Sequence, residues 1–280
     1  MLIGFVGSVF SPYYARARAR GLADPQAHCA INVALYRDGR PLWAMTERGA
    51  TQLQRGPDHL QVGPSALHWD GEVLEAQIHE WAVPWPRRLR GRVRLRPRPC
   101  PTAPIDLDAG GRHQWWPLAP LADVEVDFDA PGWHWRGQGY LDCNRGNEPL
   151  EQGFSHWHWA RAHLDERRCM VVYDTVERDG QTRALALELR EGQPVQHLPL
   201  MASADLPRGA WGVAQQVRQD AGCVPQRLRQ LEDGPFYTRS LLGLRWHGLS
   251  VCAVQESLDL RRFARPWVQA MLPFRMPRRA

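Results

Sequence analysis

Most of the chain consists of short segments in which apolar and polar residues alternate, separated by turn-forming residues. Alternation with a period of two is typical of β-strands that bury one face. The predicted strands are Leu2–Phe10, Cys29–Tyr36, Pro41–Glu47, His59–Val62, Ala66–Trp69, Val73–Val83, Phe154–Leu164, Met170–Glu177, Arg183–Arg190, Trp211–Arg218, Gln226–Leu231, Leu241–Trp246 and Val251–Glu256. Asp38–Gly39 and Asp179–Gly180 predict hairpin turns between neighbouring strands. Many short strands joined by turns indicate β-sandwich or β-barrel units.

Only two segments predict helices, a short one over Tyr13–Arg20 and a closing one over Leu260–Leu272. Pro266 lies inside the second segment and must break or kink it, because proline cannot donate a backbone hydrogen bond. The 280 residues are enough for two β domains in series. We therefore expect an all-β protein with two consecutive domains, residues 1–150 and 151–280, and a short C-terminal helix.

The composition excludes several classes of enzyme. All 35 basic residues are arginine, so lysine Schiff-base chemistry and the lysine of a phosphate-binding loop are excluded. No glycine-rich phosphate loop and no Gly-x-Ser-x-Gly motif occurs. The net charge of +5 is compatible with an acidic partner such as an anionic lipid. No nucleic-acid recognition motif accompanies that charge, so we expect no nucleic-acid partner.

The cysteines and histidines do not form a convincing metal motif. The six cysteines are isolated, and no Cys-x-x-Cys pair is present. His156 and His158 would share one strand face and could bind an ion together, with His163 nearby. No carboxylate or cysteine stands at a matching spacing. Packed strand histidines beside tryptophans explain the pattern better, and we expect neither a metal nor a cofactor.

Arginines stand at every even position from Arg88 to Arg98, with apolar residues between several of them. This alternation predicts a strand with one cationic and one apolar face. Two interpretations remain open. The face is either a solvated strand surface, for example at a sheet edge that charge protects from aggregation, or a surface that binds lipid headgroups.

The segment Gly137–Gly146 contains the most informative polar residues. In an extended chain, Tyr140, Asp142 and Asn144 would share one face. In a protein with 13 tryptophans, that face could form a polar spot inside an apolar cavity. A polar strand end at which Asp142 and Asn144 open a turn explains the same residues, because both are turn formers.

His113 and Trp115 are also two residues apart and would share a strand face. Together with Tyr140 and Asp142 they suit acid catalysis in an apolar pocket. Burial raises the pKa of a carboxyl group and retains its proton. A neighbouring imidazole or phenol can orient that proton, and a tryptophan face can stabilise a positive charge.

These residues belong to a set of motifs that resembles one protein family along essentially the whole chain. The sequence resembles the carotenoid 1,2-hydratases, also called hydroxyneurosporene synthases. The matching segments are Phe5–Tyr14, Ala44–Gly49, Gly63–Leu67, His113–Pro117, Gly139–Gly146, Glu232–Tyr237 and Trp267–Arg275. Family members carry a further stretch before the first strand, including a tryptophan-rich segment, whereas Met1 here already lies inside the match.

The resemblance implies two lipocalin-like β-barrel or sandwich domains and a cofactor-independent hydro-lyase. The reaction it implies is addition of water to the terminal C1=C2 double bond of an acyclic carotenoid such as neurosporene or lycopene. It also implies that His113, Trp115, Tyr140 and Asp142 are catalytic. We expect Asp142 to be the general acid, Tyr140 to orient it, His113 to hydrogen-bond it or activate water, and Trp115 to face the cation.

Two other functions remain open at this point. One is a carotenoid- or lipid-binding protein without turnover, and the other is a pericyclase-like enzyme on the same fold. A pure binding protein has no need of a buried acid, so the pair Tyr140 and Asp142 favours an enzyme. No apolar run approaches the ~20 residues of a membrane helix. Because the substrate lives in a bilayer, we expect peripheral attachment to the cytoplasmic side of the inner, photosynthetic membrane.

Overall fold

The computed structural model describes residues 1–37 and 41–279 and confirms the all-β class. The predicted turn at Asp38–Gly39 lies outside the described residues. The first part of the chain forms β1 (Leu2–Val6), α1 (Pro12–Ala19), β2 (Cys29–Leu35), β3 (Leu42–Arg48), β4 (Leu53–Arg55), β5 (His59–Val62), β6 (Ser65–Trp69), β7 (Leu74–Trp81) and β8 (Arg88–Pro97). Ser11 caps α1 by accepting a hydrogen bond from the Tyr14 backbone N–H, and Pro12 occupies its first position.

The middle of the chain contains the two longest strands. Its elements are β9 (Ile105–Asp106), β10 (His113–Ala130), β11 (Trp133–Gly146) and the short helix α2 (Leu150–Gly153). The Gly137–Gly146 segment is therefore strand throughout, as its alternation predicts. The alternative in which Asp142 and Asn144 open a turn is wrong, because the strand ends only at Gly146.

The last part of the chain contains the strands of a second sheet and the C-terminal helices. Its elements are β12 (Phe154–Asp165), β13 (Arg168–Glu177), β14 (Thr182–Arg190), β15 (Gln196–His197), β16 (Ala202–Leu206), β17 (Gln215–Gln219), β18 (Gln226–Asp233), β19 (Tyr237–Trp246), β20 (Leu249–Asp259), α3 (Leu260–Phe263), α4 (Pro266–Arg275) and β21 (Arg278–Arg279). Pro266 interrupts the predicted closing helix, as expected, and becomes the first residue of α4. Among the described helices, none combines the length and apolarity that spanning a bilayer requires.

The chain forms two compact units, each built from several segments. Unit 1 comprises Met1–Pro97, Asp123–Gly137 and the C-terminal segment from Gln269, whereas unit 2 comprises Arg98–Ala122 and Gln138–Val268. These limits differ from the predicted boundary at residue 150, because β10 and β11 each contribute residues to both units. The division into two independently folding domains stays a prediction.

Unit 1 has two sheets around one apolar core. One sheet has the order β1-β2-β3-β21, and the other runs from the 123–130 part of β10 through β8, β7, β6 and β5 to β4. Their facing side chains form one buried cluster that includes Ile31, Ile78, Leu89 and Phe128. The sheets stack as in a sandwich, which explains the strict alternation in β7 and β8.

Unit 2 is organised around a seven-stranded antiparallel sheet in the order β15-β14-β13-β12-β20-β19-β18, with β16 and β17 forming a separate pair. One face of this sheet packs an apolar core that includes Met170, Leu242 and Trp246. Because side chains alternate along a strand, the opposite face carries a different set, including Trp159 in β12 and Tyr173 in β13. This second face holds the candidate site.

Candidate active site

The parts of β10 and β11 that belong to unit 2 supply all four predicted site residues. His113 and Trp115 are buried neighbours on one face of β10, whereas Gln114 and Trp116 between and beyond them are more exposed. Tyr140 and Asp142 lie two residues apart on β11 and touch, since the Tyr140 hydroxyl donates a hydrogen bond to Asp142. The residues that the alternation predicts to share a face, His113 with Trp115 and Tyr140 with Asp142, do so in the structure.

Asp142 accepts two hydrogen bonds on one carboxyl oxygen. The Trp115 indole Nε1–H donates to Oδ2 at 2.9 Å, and the Tyr140 hydroxyl donates to the same oxygen at 3.1 Å. Within the described part of the chain, no hydrogen bond reaches Oδ1. A neutral carboxyl group whose Oδ2 accepts both bonds would carry its proton on Oδ1, where the proton is free to be transferred.

The pKa of the Asp142 carboxyl is raised above its usual range, mainly because burial disfavours the charged form. The negative charge of Glu256 acts in the same direction. The hydrogen bonds from Trp115 and Tyr140 and the positive charge of Arg161 act against it, but burial dominates. Asp142 is thus a carboxylic acid that retains its proton to higher pH than an exposed aspartate.

Tyr140 is a neutral phenol beside this acid. Burial raises its pKa well above the usual value, and the charge on Asp142 adds to that effect. The phenol therefore keeps its proton and acts as a hydrogen-bond donor. Arg161 lies over its ring at 4.6 Å, which places a fixed positive charge close to the acid.

Trp115 has a different contact from the one expected. Its indole N–H bonds Asp142, and its ring packs against Tyr173 with the ring centres 5.2 Å apart. The side chain is fully buried. Trp115 thus fixes the orientation of the carboxyl group, and its role beside a cation stays a prediction.

His113 does not contact Asp142, so that part of the expectation is wrong. The backbone N–H of Asn147 bonds the carbonyl oxygen of Arg112, which places His113 beside Gly146. Gly146 is four residues from Asp142 along β11, or ~13 Å in an extended strand. The His113 ring instead lies 3.4 Å from the Glu148 carboxylate through Nε2, in a narrow space between two glycines.

Aromatic rings from β12 and β13 form a wall against Trp115 and Tyr140, the two residues that bond Asp142. Tyr140 packs against Trp159 with ring centres 5.7 Å apart, and Trp157 packs against Tyr173 at 5.2 Å. Burial raises the pKa of Tyr173 well above its usual value, and its hydroxyl donates to Asn144 at 3.4 Å. The site is thus apolar, with few polar groups, as is usual for sites that bind apolar ligands.

Several residues of this site were missed by the sequence reasoning, namely Trp157, Trp159, Tyr173 and Glu256. A signal for the tryptophans was present, because the alternation in Phe154–Leu164 puts Trp157 and Trp159 on one face. The metal-site hypothesis instead concerned His156 and His158, which lie on the opposite face of β12. Nothing in the sequence indicates that the face with Trp157 and Trp159 packs near Asp142, which is more than a dozen residues away in the chain.

The histidines of β12 make other contacts. His156 and His158 do share a face, with parallel rings whose centres are 6.5 Å apart. His158 bonds the Ser257 hydroxyl through Nδ1 at 2.7 Å, while His163 contacts Arg161. Over residues 1–37 and 41–279, no three His, Cys, Asp or Glu side chains are grouped so as to hold a metal ion.

The geometry defines a class of site: a buried carboxyl group with a raised pKa, oriented by two donors and flanked by aromatic rings that can stabilise a positive charge. Such a site can protonate an apolar substrate. The comparison with known proteins agrees with this class. The family model described as "Carotenoid hydratase CrtC" matches residues 2–280, and the chain belongs to this family.

Similar proteins cover nearly the whole chain. The acyclic carotenoid 1,2-hydratase of Thiocapsa roseopersicina is 46% identical over 99% of this chain and 68% of its own length. The protein of the same name from Rubrivivax gelatinosus is 42% identical over 99% of this chain and 69% of its own length. That from Rhodobacter capsulatus is 41% identical, and the match spans 100% of this chain and 98% of that protein.

Proposed function

We propose that this protein is an acyclic carotenoid 1,2-hydratase, which adds water to the terminal C1=C2 bond of carotenoids such as neurosporene and lycopene. Four relatives with 38–46% identity over nearly the whole chain carry that name. The geometry around Asp142 supports the same reaction, because general acid catalysis of alkene hydration requires an acid that keeps its proton and is held in a fixed position in an apolar site.

The proposed reaction begins with proton transfer from Asp142 to C2, the less substituted carbon of the double bond. The electron pair of the double bond forms the new C2–H bond and leaves a tertiary cation at C1. Water then attacks C1 and loses a proton, which gives a tertiary alcohol. Trp159 and Tyr173 pack against Tyr140 and Trp115, the donors to Asp142, and aromatic surfaces of this kind stabilise a nearby cation.

The single observation that carries the proposal is the pair of hydrogen bonds to Oδ2 of Asp142. It orients the carboxyl group, leaves Oδ1 for the acidic proton, and occurs where burial raises the pKa of the acid. General acid catalysis of this kind contributes ~10²–10⁴-fold to a rate. His113 would act only through other groups, because Glu148 and two glycines enclose its ring.

The experiment that tests the function is incubation of the purified protein with lycopene or neurosporene in detergent micelles. The expected product is heavier by one water and carries a 1-hydroxy group. Binding of the carotenoid without any product would instead identify a carotenoid-binding protein. A product of unchanged mass would point to an isomerase or a pericyclase.

We also propose that the protein attaches to the membrane surface through unit 1. The side chains of Arg88 and Arg90 on β8 are exposed and border a cavity of about 380 Å³. Arg48 also lines this cavity but is paired with Glu80, whereas Arg279 adds a third positive charge to those of Arg88 and Arg90. Such a cluster attracts anionic lipid headgroups. Contact with the cytoplasmic leaflet would bring the enzyme to a substrate dissolved in the bilayer.

A further inference from the structure

Four paired residues on adjacent strands form a row across the face of the unit 2 sheet that carries the candidate site. Trp159 on β12 pairs with Tyr173 on β13 on one side and with Glu256 on β20 on the other. Glu256 in turn pairs with Arg239 on β19. Neighbouring strands are ~4.8 Å apart, so the row places a second carboxylate close to the aromatic wall around Asp142.

Trp159 has an unused hydrogen-bond donor. Its indole Nε1–H has no partner in the described structure, although the side chain is only 8% exposed. A buried N–H without a partner costs free energy, so this position favours an acceptor. The Trp159 ring also packs against Tyr140, which bonds Asp142. The unused donor therefore belongs to the candidate site.

Glu256 is held as one half of an ion pair. Its Oε1 lies 2.8 Å from Nη1 of Arg239, and the two side chains are 21% and 11% exposed. A carboxylate can accept about four hydrogen bonds, so Arg239 leaves room for another donor. The negative charge of Glu256 also raises the pKa of Asp142 and of Tyr173, which is consistent with its place in the row beside the aromatic wall.

We infer that Trp159 and Glu256 form the site of the attacking water, and that Glu256 accepts its proton. This rests on the proposed function. The water oxygen accepts the Trp159 N–H and donates one hydrogen to the Glu256 carboxylate. When the oxygen forms a bond to C1 of the cation, the electron pair of that O–H bond stays on oxygen and the proton passes to Glu256.

The two carboxyl groups thus have opposite tasks. Asp142 begins the cycle protonated and ends it ionised, whereas Glu256 begins ionised and ends protonated. Exchange with solvent restores both. The other charged or titratable groups that the described residues place around them are Arg161 over Tyr140, Arg239 beside Glu256, the phenols of Tyr140 and Tyr173, and the thiols of Cys143 and Cys169, whose pKa values burial raises. Among the described groups around the site, the Glu256 carboxylate is therefore the base that remains to accept a proton from water.

The test separates protonation from water capture. In D₂O, reversible transfer of a deuteron from Asp142 to C2 places deuterium at C2 of the recovered lycopene. Capture of the C1 cation by water gives the alcohol. We expect Glu256→Gln to lower alcohol formation by about 10²-fold or more and to retain deuterium exchange. Asp142→Asn should lose both. The inference would be wrong if Glu256→Gln formed the alcohol at the parental rate. It would also be wrong if a folded Glu256→Gln variant lost deuterium exchange and alcohol formation to the same extent.

Two further variants keep the test decisive. Asp174→Asn is the matched control, because it breaks the ion pair between Asp174 and Arg218. That pair is about as buried as the pair of Glu256 with Arg239 but lies on the opposite face of the sheet. Asp174→Asn should leave the rates of deuterium exchange and of alcohol formation unchanged. Trp159→Phe removes the indole N–H but keeps an aromatic ring beside Tyr140, and it should show the same split between deuterium exchange and alcohol formation. This variant decides the question if Glu256→Gln does not fold. Parental rates in Trp159→Phe would contradict the water site. A parent protein without hydration would overturn the proposed function itself.

Discussion

The proton on Asp142 depends on a balance between burial and hydrogen bonding. Burial raises the pKa of the carboxyl group, whereas the donors Trp115 and Tyr140 lower it, and burial is the larger effect. The two donors have a second consequence, because they bind the same oxygen and so fix the carboxyl group in one orientation. Removing either one should therefore affect the direction of proton transfer as well as the acidity.

The raised pKa of Asp142 predicts how stability changes with pH. The folded protein binds this proton more tightly than the unfolded chain, so Asp142 contributes most to stability below its ordinary pKa of 3.8. That contribution is lost as pH rises from this value through the raised, folded pKa. Asp142→Asn lacks the ionisation, so its melting temperature should rise relative to the parent over that window and then stay level.

Asp70→Asn is a control of opposite sign. Backbone N–H groups of Val73 and Glu72 lower the pKa of Asp70, so its carboxylate stabilises the fold above the ordinary pKa. This variant should lose stability relative to the parent as pH rises. Thermal unfolding of the parent and both variants across a pH series provides the measurement. A difference between Asp142→Asn and the parent that falls with rising pH would contradict the raised pKa.

Part of the site follows from the sequence at this scale. Alternation predicts that Tyr140 and Asp142 share a face, and likewise His113 and Trp115. It does not predict which residue of β10 meets Asp142, because that depends on the pairing of the two strands. A shift by two residues would exchange Trp115 for His113 without changing either pattern. The contributions of Trp159 and Glu256 come from strands far away in the sequence.

Strand β8 shows how neighbouring strands change the meaning of a charge pattern. The alternation of arginine and apolar residues is confirmed, but β8 lies inside its sheet and not at an edge. Acids on the neighbouring strands and in the turn before β7 pair with three of its arginines, Arg92 with Asp127, Arg94 with Glu75 and Arg96 with Glu72. Within residues 1–37 and 41–279, Arg88 and Arg90 have no acidic partner. The cationic surface is thus concentrated at one end of the strand.

This difference predicts which arginines bind membranes. Replacing both Arg88 and Arg90 by glutamine should weaken binding to anionic vesicles, since each arginine near such a surface contributes ~1 kcal/mol, or roughly 30-fold for two. The matched variant, with Arg92 and Arg94 changed to glutamine, should bind more nearly like the parent. Sedimentation with vesicles at low and high salt measures both effects.

Salt provides the internal control for that experiment. Charge attraction is screened over ~10 Å at 0.1 M salt, so binding of the parent should fall as salt rises. If both double variants sediment with vesicles as well as the parent at every salt concentration, β8 is only a solvated surface. In that case another part of the protein makes the attachment.

A buried ion pair joins the two sheets of unit 1. Arg48 donates two hydrogen bonds to Glu80, at 3.1 and 3.2 Å, and the Ser65 hydroxyl donates a third at 3.0 Å. Glu80→Ala would leave Arg48 buried and unpaired, which should lower the free energy of unfolding by about 3–5 kcal/mol. Urea denaturation measures this loss. Glu125→Ala, which breaks an exposed pair with Arg136, should change little.

The elements themselves were largely predictable from the sequence, but their lengths and partners were not. Alternation identified most strands and the break at Pro266. It did not show that β10 runs unbroken from His113 to Ala130, because proline and a run of apolar residues interrupt the pattern there. The predicted strand at Trp211–Arg218 is shorter and begins at Gln215. Strand β16 was missed because its residues are mostly exposed and polar or small.

At the scale of the whole molecule, membership of the carotenoid hydratase family and the geometry of unit 2 support one reaction. The four residues that the resemblance implied all lie in unit 2, although the first domain was expected to contain them. Unit 1 contributes a separate cationic surface. Catalysis and attachment to the membrane can therefore be tested by variants in different units.

The proposed reaction needs an acid and water, which predicts that chelators leave it unchanged. Dialysis of the protein against EDTA should not alter the rate of hydration, because the Asp142 proton supplies the electrophile. The rate before and after dialysis, with and without added divalent ions, is the measurement. Loss of activity that one particular metal restores would contradict this prediction.

The role of Asp142 as proton donor can be measured by comparing hydration by the parent and by Asp142→Asn in isotopically labelled water. With lycopene in H₂¹⁸O, the parent should form a 1-hydroxy product whose new oxygen is ¹⁸O. Asp142→Asn should remain folded and lose ~10²–10⁴-fold in rate, because an amide of the same shape has no acidic proton to transfer. A folded Asp142→Asn variant that hydrates lycopene at nearly the parental rate would remove Asp142 from the mechanism and contradict the account.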